Sequence, residues 1–181
     1  MKIKITDYAS TQFNLPEGIT NKIDEYFKNL IDKKDIADSD ILPDYAKDGI
    51  VTNKAHITVL YGIKEDMEKV IGDLLKDKEE VSAILGTTKV FENSFLDYDV
   101  LYIEVMSLGI RRIRSILQKE IEYVSSPFSF TPHVTVAYLK KGTSNKYIGD
   151  NQFERTHLKL NSLIYTPVEG EDTVYLLKNN V

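Results

Sequence analysis

Two of the three histidines in this 181-residue chain sit in matching frames. Residues 55–62 read AHITVLYG and residues 132–140 read PHVTVAYLK. Each histidine is followed by an apolar residue, Thr, Val, a second apolar residue and Tyr. Side chains alternate along a strand, so His56 and Thr58 share one face, opposite Ile57 and Val59. His133 and Thr135 likewise share a face, opposite Val134 and Val136. Imidazole titrates near neutral pH, so one ring can accept a proton while the other donates one. Cleaving a phosphodiester needs both acts: the attacking hydroxyl or water must lose a proton and the departing oxygen must gain one. The hydroxyls of Thr58 and Thr135 can donate hydrogen bonds to the non-bridging oxygens as negative charge builds there. His56, His133, Thr58 and Thr135 are therefore the candidate catalytic set, and the scheme calls for neither metal nor cofactor. A lone His-x-Thr in a strand means little; two copies in equivalent places of a repeated order are hard to explain by packing.

Several other residues are candidates for substrate binding. Tyr61 and Tyr138 each follow a histidine by five positions. Simple alternation sends them to the opposite face, into the core, whereas a bulge would turn each ring to the rim of a cleft, where it could stack on a base. Ser10 and Gln12 lie on the polar face of the first strand and could line the cleft floor. Lys140 leaves the second histidine strand, where it meets either a phosphate or solvent. His157 has Lys159 in place of a threonine and reads as structural or exposed. Arg111, Arg112 and Arg114 form the densest basic cluster, by default a solvated helix face. Asp35, Asp38, Asp40, Asp44 and Asp48 lack calcium-loop spacing and read as surface charge.

The elements that must position these residues follow from periodicity. Residues 8–15 alternate, with Ala9, Thr11, Phe13 and Leu15 on the less polar face and Tyr8, Ser10, Gln12 and Asn14 on the other. Pro16 closes that strand, and Ile19, Ile23, Tyr26, Phe27, Leu30 and Ile31 give a helix over about residues 19–31. Residues 33–53 read as a long loop holding a short helix. The first histidine strand runs over about residues 55–61 and ends at Gly62. A helix over about 65–76, a strand over 81–92 broken near Gly86, and a strand over 100–106 come next. A helix over about 108–123 follows, with Leu108, Ile113, Ile116, Leu117 and Ile121 inward. The second histidine strand covers 133–139, residues 140–151 read as polar and exposed, and strands near 157–165 and 173–177 finish the chain. Strand, helix, loop and histidine strand thus occur in that order twice, near residues 8–60 and again near 100–138. Two pseudo-symmetric lobes would bring the histidine strands face to face.

Bulk composition bounds the function. At 42% apolar and 28% charged the chain has the make-up of a globular protein, and its length suits a single domain over residues 1–181. The formal net charge of −5 gives no global field for long duplex nucleic acid, so a small anionic substrate is favoured. The chain has no cysteine, which excludes disulfides and a thiol nucleophile. No signal peptide or membrane-length apolar run is read in the chain, so a cytoplasmic location is expected; a monomer is favoured.

The segments His56-Ile57-Thr58-Val59 and His133-Val134-Thr135-Val136 resemble the paired signature motifs of the 2H phosphoesterase superfamily. That group includes LigT-like 2'-5' RNA ligases, cyclic nucleotide phosphodiesterases and phage nucleases that degrade cyclic oligonucleotide immune signals. The opening YASTQFNLP, residues 8–16, resembles the first strand of bacterial and phage members. The resemblance implies an α+β, bilobal fold of antiparallel sheets with outer helices around a central cleft, two catalytic histidines, two phosphate-binding threonines and no metal. It also implies cleavage of a 2',3'-cyclic phosphate, a 2'-5' linkage or a cyclic oligonucleotide, with ligation as the reverse chemistry. The competing expectation is a module that holds a nucleotide or RNA end in the same cleft without turning it over.

Overall fold

The computed structural model describes residues 8–42, 49, 55–64, 66–91, 96–126 and 129–179. Its elements are β1 (Ala9–Asn14), α1 (Glu17–Leu30), β2 (His56–Ile63), α2 (Glu68–Leu75), β3 (Val81–Phe91), β4 (Tyr98–Met106), α3 (Leu108–Glu120), β5 (His133–Lys140), β6 (His157–Leu160), β7 (Ser162–Thr166) and β8 (Thr173–Leu176). Two four-stranded antiparallel sheets form, in the orders β2-β1-β7-β8 and β5-β4-β3-β6. A histidine strand is the outermost member of each. This is the expected α+β, bilobal arrangement, and the first lobe joins the start of the chain to its end.

Each sheet buries one face because its strands alternate. Ala9, Thr11, Phe13 and Leu15 are buried, as are Ile57 and Val59 on β2 and Val134 and Val136 on β5. The helices tie the lobes together by crossing over. Helix α1 follows β1 yet packs on β5 of the other sheet; α3 follows β4 yet packs on β2 as well as β3. Phe27 of α1, Leu117 of α3, Ile57 and Val134 accordingly share one apolar core that runs through both lobes. Burying such side chains is the dominant stabilising term, worth about 1.5–3 kcal/mol for each large aliphatic residue. Helix α3 begins where Ser107 accepts a hydrogen bond from the backbone N–H of Ile110 at 3.2 Å, which satisfies one of the orphan donors of its first turn.

Several expectations are corrected. The first histidine strand does not stop at Gly62 but runs on to Ile63. Gly62 takes φ +89°, its carbonyl accepts from Val124 N–H at 2.8 Å, and a Cβ there would lie 2.8 Å from the Val124 oxygen. Leu108, expected to point inward, is 73% exposed because it starts α3 before the helix settles on the sheet. Leu30 is likewise exposed in the last turn of α1. The segment 157–165 is divided at Asn161, and its halves pair in different sheets. Residues 140–151 are not simply exposed: a 3-10 turn, Ser144–Tyr147, buries Ser144 and Tyr147.

The long loop holds two short 3-10 turns, Lys33–Asp35 and Ser39–Ile41. Asp35 is buried rather than on the surface, accepting from the Tyr147 hydroxyl at 2.6 Å and pairing with Lys146 at 2.5 Å. The Lys146 bond first, then the Tyr147 bond, holds its carboxyl below the usual range. Asp44, Asp48 and the expected start of the second helix at Glu65 lie outside the described residues. Among the described residues no helix is long and apolar enough to cross a membrane.

Candidate functional site

From histidine to tyrosine, the two histidine strands are set in ladders of the same register. On β1–β2, Asn14 stands opposite His56, Phe13 opposite Ile57 and Gln12 opposite Thr58. Thr11 is then opposite Leu60 and Ser10 opposite Tyr61, which leaves Val59 as an extra residue. On β4–β5, Glu104 stands opposite His133, Ile103 opposite Val134 and Tyr102 opposite Thr135. Leu101 is opposite Ala137 and Val100 opposite Tyr138, which leaves Val136 as the extra residue. Both strands therefore bulge at the third position after the histidine. An extra residue shifts the alternation by one, so two consecutive side chains go inward. Val59 and Leu60 are both buried, and so are Val136 and Ala137. The shift returns Tyr61 and Tyr138 to the histidine side of their sheets.

The two tyrosines then differ. Tyr61 is 37% exposed and meets the Tyr8 ring edge-on at 6.1 Å. Tyr138 is 7% exposed and packs with Tyr98, Ala37 and Leu42 in a separate small apolar cluster. The segment after α1 covers it. Ala37 N–H donates to the Tyr138 carbonyl at 3.0 Å, and Tyr138 N–H donates to the Gly49 carbonyl at 2.7 Å. The outer edge of β5 is thus paired around Tyr138 and Leu139. Lys140 ends β5 and pairs with Asp38 at 3.4 Å. Ser10 is half-buried between Tyr61 and Thr166, and Gln12 donates to the Asn14 side chain at 2.9 Å.

The strand of His56 and Thr58 comes beside the strand of His133 and Thr135. Strands β2 and β5 are neighbours across the divide between the sheets. His56, Thr58, His133 and Thr135 are all half-buried, so each stays reachable from the histidine side. The His133 ring is anchored by its Nδ1, 2.7 Å from the Thr131 carbonyl oxygen, which makes Nδ1 the donor and aims Nε2 away from that loop. Two aromatic rings flank it, Phe91 at 4.8 Å and Tyr102 at 5.3 Å, both edge-on. Burial pushes the His133 pKa below the ordinary imidazole value. The Thr131 carbonyl opposes that shift, and charge on His56 adds to it. The rings of the two lobes are therefore close enough to feel one another's charge.

Some residues of the site are not apparent from the motifs. Asn14 and Glu104 are marked only by register, Phe91 and Tyr102 only by strand pairing. Arg114 reaches back from α3: its guanidinium donates to the Val59 carbonyl and lies 4.1 Å from the centre of the Phe130 ring. Arg111 donates to the Phe130 carbonyl at 3.2 Å. The arginine cluster thus braces the loop before β5, while Arg112 is exposed as a solvated face would be. His157 is exposed on β6, opposite Ile84, and stands apart from the other two histidines. Among the described residues no three His, Asp or Glu side chains converge as a metal-binding group.

Residues 43–162, which hold both histidine frames, match the 2'-5' RNA ligase superfamily. The chain belongs to that superfamily. Membership of the 2'-5' RNA ligase superfamily bears out the likeness to the 2H phosphoesterases read from the two motifs. Solved structures agree at the level of fold. A Thermus thermophilus protein is 15% identical with a TM-score of 0.61, over 96% of this chain and 100% of that one. Kluyveromyces marxianus Usb1 is 12% identical with a TM-score of 0.57, over 95% of this chain and 99% of that one. Escherichia coli LigT, solved with 3'-AMP, is 12% identical with a TM-score of 0.57, over 95% of each chain. No curated protein sequence matches the chain.

Proposed function

We propose that this superfamily member is a phosphodiesterase that acts on a ribonucleotide linkage held between its lobes. The observation that carries the reading is the placement of His56 and His133 at equivalent ladder positions on adjacent strands, with charge on one felt by the other. Nucleotide complexes of relatives of the same fold support the substrate class. LigT was solved with 3'-AMP and Kluyveromyces marxianus Usb1 with uridine monophosphate.

The lobes divide the proton chemistry. His133, desolvated and with Nδ1 committed to the Thr131 carbonyl, stays neutral near pH 7 and offers Nε2 as the proton acceptor. It takes the proton of the attacking water or hydroxyl as the new P–O bond forms. His56, in its protonated form, delivers a proton to the departing oxygen as the old P–O bond breaks. Thr58 and Thr135 donate hydrogen bonds to the two non-bridging oxygens, where charge grows in the transition state. Protons and charge balance without a further reactant, so activity persists in EDTA.

A substrate panel tests the reading. Purified protein is offered 2',3'-cyclic mononucleotides, cyclic di- and trinucleotides and 2'-5' oligoadenylates in EDTA, beside the His56→Ala/His133→Ala double variant. Turnover of at least one class, abolished in the double variant, is expected. Binding with no turnover in the parent protein would leave a nucleotide-holding module in its place.

A further inference from the structure

The two lobes are alike in backbone and unlike in what flanks each histidine. In the first lobe the positions opposite His56 and Thr58 are amides, Asn14 and Gln12. In the second, the positions opposite His133 and Thr135 are Glu104 and Tyr102. The next strand extends the difference. Lys89 stands opposite Tyr102 and Phe91 opposite Val100, so both project from the face that carries His133. The Phe91 ring lies parallel on Tyr102, with centroids 4.0 Å apart and an 18° tilt. Tyr102 is only 6% exposed and forms the inner layer, whereas Phe91 is half-buried. Beside the pair, Lys89 Nζ and a Glu104 carboxylate oxygen meet at 2.7 Å. That bond raises the Lys89 pKa, so the ammonium remains charged.

We infer that Phe91, backed by Tyr102, is the stacking platform for the nucleobase of the substrate, with Lys89 and Glu104 at its polar edge. The inference rests on the proposed nucleotide site and adds which lobe holds the base. A base needs a flat apolar surface already in place, because ordering a loose ring at the moment of binding costs affinity. Stacking on Tyr102 fixes Phe91 in advance. An ammonium and a carboxylate side by side supply a donor and an acceptor, the two kinds of partner found on the Watson–Crick edge of every base. At the ladder positions that match Tyr102 and Phe91 the first lobe has Gln12 and Thr166, which carry no ring, and its exposed Tyr61 meets Tyr8 edge-on instead of lying flat on a second ring. The base therefore lies on the His133 side and gives the bound nucleotide one orientation in an otherwise symmetric cleft.

Calorimetry with two product-like ligands tests this. One is adenosine 3'-monophosphate and the other is the base-free 1-O-methylribose 3-phosphate. Base stacking on a protein ring should make the wild-type protein prefer the nucleotide by roughly 5- to 150-fold. Phe91→Leu, which keeps apolar bulk but removes the ring, should reduce that preference to within about twofold, with most of the affinity loss falling on the nucleotide; Phe91→Trp should retain it. A preference untouched by Phe91→Leu, or an equal loss for both ligands, would overturn the platform and leave the phosphate site standing. Failure of the wild-type protein to bind the base-free phosphate would overturn the phosphate site and the platform together.

Discussion

Arg114 of α3 donates a hydrogen bond to the carbonyl of Val59, the extra residue that makes the first histidine strand bulge. The same guanidinium stacks on Phe130, three residues before His133. One side chain thus ties the strand of His56 to the loop that leads into the strand of His133. Burial lowers the Arg114 pKa, the cost of placing a cation there. The bulge carbonyl and the Phe130 ring offset that cost. Replacing Arg114 by Met keeps much of the packing but removes the donor. Hydrogen bonds to charged groups are worth roughly 1.5–3 kcal/mol, so Arg114→Met should lower stability by about that amount in urea unfolding. Turnover should fall further than the lost stability alone explains, with affinity for a base-free phosphate held. A variant that is destabilised yet fully active would remove Arg114 from the positioning of the histidines.

Removing either proton carrier should be costly to the chemistry and cheap to binding. His56→Ala and His133→Ala are each expected to lower kcat by roughly 10²–10⁴-fold, the usual contribution of general acid–base catalysis. The double variant should lose little more than the worse single one, because the two groups act as a unit. Product titration should show affinities within several-fold of wild type. Additive losses in the double variant would argue against a shared reaction.

Acidity should act on this protein through His133. Its folded pKa lies below the ordinary imidazole value of about 6.5. Well above pH 6.5 the ring is neutral in both folded and unfolded chains and adds no pH dependence. As the pH falls below 6.5 the unfolded chain takes up the proton first, so the folded state loses stability relative to it. The urea midpoint should drop on that side, and the drop should shrink in His133→Gln. The acid limb of the kcat/KM profile should have its midpoint below 6.5, since the acceptor stays deprotonated there. A ring resonance of His133 that titrates above 6.5 would contradict both statements.

Gly62 offers a test of the strand geometry that is independent of catalysis. Its positive φ and the Val124 oxygen at 2.8 Å from a would-be Cβ leave no room for a side chain. Gly62→Ala should therefore cost about 1–3 kcal/mol, the usual range for a residue forced into such a conformation. Thermal unfolding reads this directly. A neutral Gly62→Ala would mean that the backbone around Val124 yields easily and does not fix the edge of β2.

Much of this protein is written in local pattern. Period-2 alternation gave β1 and the inward faces of both histidine strands, and period 3.6 gave α1 and the buried side of α3, because burial of one face leaves a repeat that any reader of the chain can see. The paired His-x-Thr frames carried the family and the four central candidates for the same reason. What pairing decides is different in kind. Tyr61 and Tyr138 occupy matching places in the two frames, yet one is exposed and the other is covered by residues far away in sequence. Phe91 meets His133 only because β3 and β5 both pair with β4, and Arg114 meets Val59 only because α3 crosses to the other lobe. Side-chain type and spacing determine which groups are available and which way each strand faces. Strand order, bulges and the crossing helices determine which of those groups meet, since such contacts join residues whose separation along the chain leaves no periodic trace.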